Sequence, residues 1–330
     1  MKKTVITLFI VIVVIMLAAV VFSYFSNNRI IIEQQDIRIN QLPEDFEGFT
    51  ILQITDLHEK EFGDDQEQLI AAINSLQYDA IVFTGDLLDD TSSLNYESFY
   101  KLIREIKNKE HALYVAGNND PENYILSAEG VLEKSEFVKG MEEQGVMLLE
   151  SLNTIQKGDA ELHFVNFDLS IMDPEHGFQD INGREQLLIE SDAQYIEHQN
   201  ERLQDFTILM EREDDVLVAL SHYPIADAQI DYFEDASQFT LRDYDLIIAG
   251  HYHGGQMRLP SLGALFVPEA WNERNGLLPS QDRVKGLWEY QQIQQYVSAG
   301  LGSSESFPFL NFRVFNPPEI NLLRLTNEKK

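Results

Sequence analysis

The sequence predicts an α/β protein built on a largely parallel or mixed sheet, preceded by one transmembrane helix. Three observations predict it. Short apolar runs of strand length alternate with helical stretches in the order β-α-β-α over residues 49–116. Two further buried-type runs, Val216–Leu220 and Asp245–Ala249, repeat that character later in the chain. An uncharged apolar stretch, Thr4–Phe22, stands apart from both at the N-terminus.

At about 1.5 Å per residue, Thr4–Phe22 is long enough to cross a bilayer core of about 30 Å. Cleaved signals have apolar cores of about 7 to 15 residues, shorter than this one, and Val21-Phe22-Ser23 is only a passable cleavage site. A retained anchor over residues 1–25 is therefore expected. No residue from Thr4 to Phe25 offers a charged face to solvent. Lys2 and Lys3 on the short flank favour an inside N-terminus and a catalytic domain outside the cell membrane, against Arg29 and Arg38 on the other flank. Without a twin-arginine signal, the chain would be exported unfolded and acquire metal outside.

Residues 26–45 read as a linker entering a first edge strand, with Ile30, Ile32, Ile37 and Ile39 in short alternation. The remainder, 46–330, reads as one domain. Phe49–Ile54, Ala80–Phe83 and Ala112–Ala116 are strands separated by helices near 65–76 and 95–107. A hairpin follows at 154–155 and 162–165, then a polar helix-prone stretch over 185–212. Strands are also expected at 265–267, 286–290, 296–298, 312–315 and 320–325. No Gly/Ser/Pro linker divides the halves, which points to two sheets sharing one core.

Composition removes several functions. Lys and Arg number 24 against 55 Asp and Glu, a net charge of −31, and no basic run occurs. A nucleic-acid backbone would be repelled, so no nucleic-acid partner is expected. The absence of cysteine excludes disulfides, thiolate zinc sites and a lipidated cysteine.

Five short segments each follow or close a buried-type strand. They are Asp56-Leu57-His58, Gly85-Asp86, Gly117-Asn118-Asn119-Asp120, His222, and Gly250-His251-Tyr252-His253. The carboxyl ends of strands in α/β sheets form a rim where ligands gather, so these side chains are placed to converge. Imidazole mixed with carboxylate suits Zn, Mn or Fe(II), whereas calcium and magnesium favour oxygen shells. Two carboxylates, one amide oxygen and four imidazoles exceed one tetrahedral site and suit two ions sharing an Asp, with an acidified bridging water between them. A lone His near a strand end is more often a core or surface residue than a ligand. Five such segments in order argue against coincidence.

In that order, these residues resemble the motif set of the calcineurin-like metallophosphoesterases. Gly250 through Pro260, Gly300-Leu301-Gly302 and Pro317-Pro318-Glu319-Ile320 narrow the resemblance to the membrane-associated, YkuE/YaeI-like bacterial phosphodiesterase branch, over roughly residues 45–325. The resemblance implies a four-layer sandwich of two mixed β-sheets flanked by helices. It also implies two divalent metal ions (Mn, Zn or Fe). Asp56, His58 and His253 would hold one, Asn118, His222 and His251 the other, with Asp86 bridging and a metal-bridging hydroxide as nucleophile.

One position departs. Many members carry His where this chain has Asn119, placed over the metals to assist the transition state or leaving group. An amide donates a hydrogen bond but delivers no proton, so Asn119 takes that catalytic position without general-acid capacity. Good leaving groups, such as aryl or pyrophosphate linkages, are then favoured over alkyl monoesters.

Other residues carry blander expectations. His111, His163, His176 and His198 read as structural or solvated. Asp89 and Asp90 either orient a ligand or cap a helix. Trp271, Leu277 and Leu278 line a substrate or lipid pocket or, by the stronger prior, pack a loop. Leu187, Leu188, Ile196, Leu203 and Phe206 lie among acids, as in a surface helix pair rather than a membrane-docking surface.

The expected activity is hydrolysis of a small-molecule or lipid-linked phosphate ester, with a phosphodiester first. The acidic charge slows encounter without forbidding it, because charges beyond about 8 Å are largely screened and two divalent ions outweigh Asp56 and Asp86 at contact. Phosphomonoesterase or pyrophosphatase activity on the same site is the alternative, as is a non-catalytic metal-binding module. A mononuclear two-His-one-carboxylate oxygenase leaves Asp86, Asn118 and the extra imidazoles unexplained.

Overall fold

Strands form where apolar residues run together, and helices where they recur every three or four residues. The computed structural model describes residues 2–178, 193–210, 215–268, 271, 273–304 and 312–327. The first half contains α1 (Lys2–Asn27), β1 (Ile31–Ile39), β2 (Thr50–Ile54), α2 (Glu67–Asn74), β3 (Ala80–Phe83), α3 (Tyr96–Glu105), β4 (Ala112–Tyr114), β5 (Tyr124–Leu126), β6 (Leu132–Lys134), α4 (Glu136–Glu143), β7 (Met147–Leu148), β8 (Leu152–Lys157) and β9 (Ala160–Asn166). The second half adds α5 (Phe167–Ser170), α6 (Ala193–Leu203), β10 (Val216–Leu220), α7 (Asp227–Asp235), β11 (Leu246–Ala249), β12 (Arg258–Leu259), β13 (Gly263–Ala264), β14 (Gly286–Tyr290), β15 (Ile293–Val297) and β16 (Glu319–Asn327).

Two six-stranded sheets result, in the orders β1-β16-β2-β3-β4-β7 and β14-β15-β11-β10-β9-β8. Both are mixed. In the first, β2, β3, β4 and β7 are parallel, and β16 runs antiparallel to β2. In the second, β9, β10, β11 and β15 are parallel, with β8 and β14 antiparallel at the edges.

The apolar runs are continuous because these strands are buried on both faces. β3 sends Ala80 and Val82 toward the second sheet and Ile81 and Phe83 toward helices. β10 divides likewise, with Val216, Val218 and Leu220 on the inter-sheet side and Leu217 and Ala219 outside. Leu69 of α2, Leu102 of α3 and Phe137 of α4 cover the outer face of the first sheet. Leu203 of α6 and Phe233 of α7 cover the second. Helix, sheet, sheet and helix thus make the expected four layers.

Two expected strands differ. Residues 265–267 and 312–315 contribute only isolated bridges, Phe266 to Leu277 and Val314 to Met257. Pro268 withholds a backbone donor directly after the first, and the left-handed φ of 51° at Phe315 breaks the second. Of the helix-prone 185–212 stretch, α6 and a following 3-10 turn over Gln204–Met210 are described. Leu187 and Leu188 lie outside the described residues.

α1 is a single 26-residue helix with Val5, Phe9, Val14 and Val20 exposed. Counting only the described residues, no helix is long and apolar enough to cross a membrane. The spanning role expected of Thr4–Phe22 therefore rests on the sequence alone.

Candidate metal centre

The parallel strands of both sheets deliver their carboxyl ends to one rim, where each apolar run gives way to a turn. The turns are made through left-handed backbone at Asp56 (φ 51°), His58 (47°), Asp86 (51°), His251 (63°) and His253 (48°). Such geometry costs about 1–3 kcal/mol per non-glycine residue and persists where surrounding structure fixes it. Two glycines let the turns approach. A Cβ on Gly85 would meet the backbone of Gly117 at 2.4 Å, and one on Gly117 would meet Asp86 N at 2.2 Å.

All seven expected ligands come together there. Asp56, His58, Asp86 and His253 offer donor atoms within 4.8 Å of one another, and so do Asp86, His222 and His251. Asp86 belongs to both groups. Its Oδ2 lies 3.4 Å from His58 Nε2 and 3.3 Å from His222 Nε2. Asn118 Oδ1 lies 3.2 Å from His222 Nε2. These six acid and imidazole side chains are buried.

Neighbouring carbonyls orient two of the rings. His222 Nδ1 is 2.8 Å from the Thr84 carbonyl, so donation there turns a lone pair on Nε2 toward Asp86 and Asn118. His251 Nε2 lies 3.2 Å from the Pro268 carbonyl, which leaves Nδ1 facing the cluster. The backbone N–H of His251 donates to Asp56 Oδ1 and Oδ2 at 3.1 and 3.2 Å. His58 Nδ1 and Nε2 and His253 Nδ1 are buried without a hydrogen-bond partner among the described residues. Leaving such atoms unsatisfied costs about 1–3 kcal/mol each, and a bound cation removes that penalty. The donor set fits divalent metal.

The burial of three imidazoles reinforces that fit. Burial lowers His58 to about 4 and His251 to about 3, and drives His253 well below the usual imidazole range, favouring neutral ligand forms. Burial raises Asp56 to about 7 against the charge of His222. For Asp86 burial is outweighed by His222, His58 and His251, which hold the carboxyl far below its ordinary value. Burial opposes charge on His222 as well, but Asp86 and Asp56 raise it to about 9.

Asn119 does not stand free over the cluster. Its backbone N–H donates to Asp86 Oδ1 at 2.8 Å and its amide to Oδ2 at 3.0 Å. Asp89 Oδ1 lies 3.7 Å from His58 Nδ1, beyond hydrogen-bonding distance. Asp90 instead accepts from Ser92 N at 2.7 Å and holds a turn. His163 meets Thr154 and Asp215, His176 meets Asp173, and His198 meets Tyr124 and Glu150.

Two supporting residues carried no assigned role in the sequence. Asp120 is buried and accepts from the backbones of Leu87, Leu88 and Gly117 and from the Tyr114 hydroxyl, binding the second and third turns together. Its place in Gly117–Asp120 was the available signal. Arg313 is fully buried and donates to the carbonyls of Gly302 and Ala299. Those carbonyls belong to the turn in which a Cβ on Gly300 would stand 2.6 Å from Asp56 Cβ. No local pattern marked Arg313.

Residues 49–255 match the family model of the calcineurin-like phosphoesterases. The chain is 24% identical over 297 residues to the uncharacterized metallophosphoesterase YkuE of Bacillus subtilis, covering 88% of this chain and 84% of that one. The uncharacterized metallophosphoesterase YkoQ of the same organism is 22% identical over 295 residues, covering 87% and 89%. Among solved structures, phosphopantetheinyl hydrolase (PptH) from Mycobacterium tuberculosis aligns with a TM-score of 0.39 and 15% identity, over 82% of this chain and 97% of that one, too distant to argue from. With the family model spanning most of the chain and the rim assembled as described, this protein belongs to the calcineurin-like phosphoesterase family.

Proposed function

We propose that the chain is a membrane-anchored phosphodiesterase that holds two divalent ions, its catalytic domain lying outside the cytoplasmic membrane. The observation that carries the dinuclear reading is the sharing of Asp86 between two donor groups. Bound there, two ions supply Lewis acidity to the phosphoryl group and acidify a water to serve as nucleophile. Asp56, His58 and His253 hold one position and Asn118, His222 and His251 the other. Asn119 keeps Asp86 oriented and has no proton to give the substrate. Leaving groups that need no protonation are thus the better substrates.

The anchor rests on Thr4–Phe22, and tethering favours a lipid-linked or envelope phosphodiester or pyrophosphate as substrate. The test uses full-length protein in detergent with Mn or Zn, assayed on bis- and mono-nitrophenyl phosphate, with Asp86→Asn as control. Faster metal-dependent cleavage of the diester, lost in the control, supports the proposal. Preference for the monoester would make the protein a phosphomonoesterase. Metal binding without turnover on either ester would make it a binding module.

A further inference from the structure

We infer that the metal-bearing rim is the face of the domain seated on the membrane, with the β12–β13 hairpin and residues 312–315 dipping apolar side chains into the lipid surface. The inference rests on the proposed anchoring by α1 and extends it to orientation and substrate.

The topology brings α1 to the rim. β1 runs parallel to β16, with Ile31 opposite Glu319, and β16 runs antiparallel to β2. β1 therefore begins at the end of the sheet where β2 delivers Asp56, and α1 joins the domain there. The helix end is also fixed in place. Asn27 Oδ1 accepts from Arg313 N at 2.8 Å, and Asn27 Nδ2 donates to Arg313 O at 2.7 Å. Lys60, two positions beyond His58, donates to the Asn27 carbonyl at 2.6 Å. The ring of Phe22 stands 5.4 Å from that of Phe315.

Apolar side chains of the two segments beside this junction, Leu259, Leu262, Phe312 and Phe315, are exposed, Leu262 at 54%. Their segments are tied together and to the metal ligands. Arg258 N donates to Val314 O at 2.9 Å, joining the hairpin to the 312–315 segment. Asn316 donates to the His253 carbonyl at 2.6 Å, and the Pro268 carbonyl faces His251 Nε2.

Charge distinguishes two segments from the rest of the rim, where Glu61, Asp64, Asp65 and Asp90 are exposed in the turns after β2 and β3. The chain carries 55 acids in 330 residues, yet 257–268 and 312–318 contain none. An acidic surface is repelled by anionic lipid, and these segments are free of that repulsion. Apolar side chains beside a spanning helix are stabilised by entering the boundary between headgroups and acyl chains, about 5–10 Å deep. A phosphate ester then meets the metal donors at headgroup level. The substrate class is an amphiphilic phosphate ester embedded in the membrane, taken up without leaving it.

The absence of native cysteine allows single-site labelling of the full chain. Val14→Cys, Leu262→Cys and Asp159→Cys would each carry bimane in phosphatidylcholine proteoliposomes, with and without chain-brominated phosphatidylcholine. Asp159 lies in the β8–β9 turn, at the end of the second sheet opposite the rim. Bromine quenching at Val14 and Leu262 but not at Asp159 is expected. Quenching at Val14 without quenching at Leu262 would overturn the seated rim and leave the anchor standing. Loss of quenching at both would overturn both. For the substrate, Leu262→Asp should keep its rate on bis-nitrophenyl phosphate and lose most of its rate on a nitrophenyl ester of phosphatidic acid in vesicles. Equal rates with wild type on both, or equal losses on both, would overturn the substrate assignment.

Discussion

Asn119 clasps Asp86 at both oxygens, from its backbone N–H to Oδ1 at 2.8 Å and from its amide to Oδ2 at 3.0 Å. The position where a proton donor was expected thus also aims the carboxylate that both donor groups share. Asn119→Ala keeps the backbone bond and loses the amide. Its metal affinity should fall about tenfold, as when partners of ligating groups are removed. Titration with Mn checks this, and unchanged affinity would contradict it. Asn119→His restores a group that can protonate an alkoxide, and should raise turnover on esters with poor leaving groups. No change, or a loss, would count against that role.

Gly117 sets the distance between the second and third turns. An added methyl would stand 2.2 Å from both Asp86 N and Asp86 Oδ1. Gly117→Ala should displace Asp86 by about an ångström and reduce turnover about 100-fold, with the far-ultraviolet circular dichroism retained. Near-native activity would show that the turn relaxes more freely than this packing allows.

Asp245 offers a pH test remote from the metal ligands. Burial raises its carboxyl to about 6, against the hydrogen bond it accepts from Leu217 N. The folded chain therefore holds a proton that the unfolded chain releases near 3.8. Stability falls as pH rises from 3.8 toward 6, by up to about 3 kcal/mol at 1.36 kcal/mol per pKa unit, and the cost persists above that window. Asp245→Asn keeps an acceptor for Leu217 and removes the titration. Urea midpoints from pH 4 to 8 should fall less in the variant, whereas parallel profiles would contradict the assignment.

Removing metal should destabilise the fold. His58 and His253 bury nitrogens with no hydrogen-bond partner among the described residues, and a metal that binds only the folded chain stabilises it by mass action. Chelation should lower Tm, and Mn or Zn should restore it. An unchanged Tm would mean that these nitrogens carry no metal in solution.

The rim was legible because every ligand directly follows an apolar run. Asp56, Asp86, Asn118, His222 and His251 are each placed by the strand before them, and strand ends are readable from the sequence. The supporting contacts were not. Asp120 reaches Leu87 across 33 positions of sequence, and Arg313 acts through carbonyls whose nearness to Asp56 exists only in the fold. Helices α4 and α7 were missed because each buries a short stripe, Phe137, Val138 and Met141 in one and Ile230 and Phe233 in the other. The strand expected at 312–315 failed for the opposite reason. Its apolar residues alternate as a strand's do, but Val314 finds a single bridge and Phe315 turns left-handed.

The central claim is that Asp86 joins two metal positions. Its most direct test is metal content of the full-length protein, which keeps the Asn27–Arg313 hydrogen bonds that a form starting at residue 30 would lack. Elemental analysis after loading with Mn or Zn should give two ions per wild-type chain. Asp86→Asn should hold no more than one and lose metal-dependent phosphodiester hydrolysis. One ion in the wild type, or two ions and full activity in Asp86→Asn, would contradict the account.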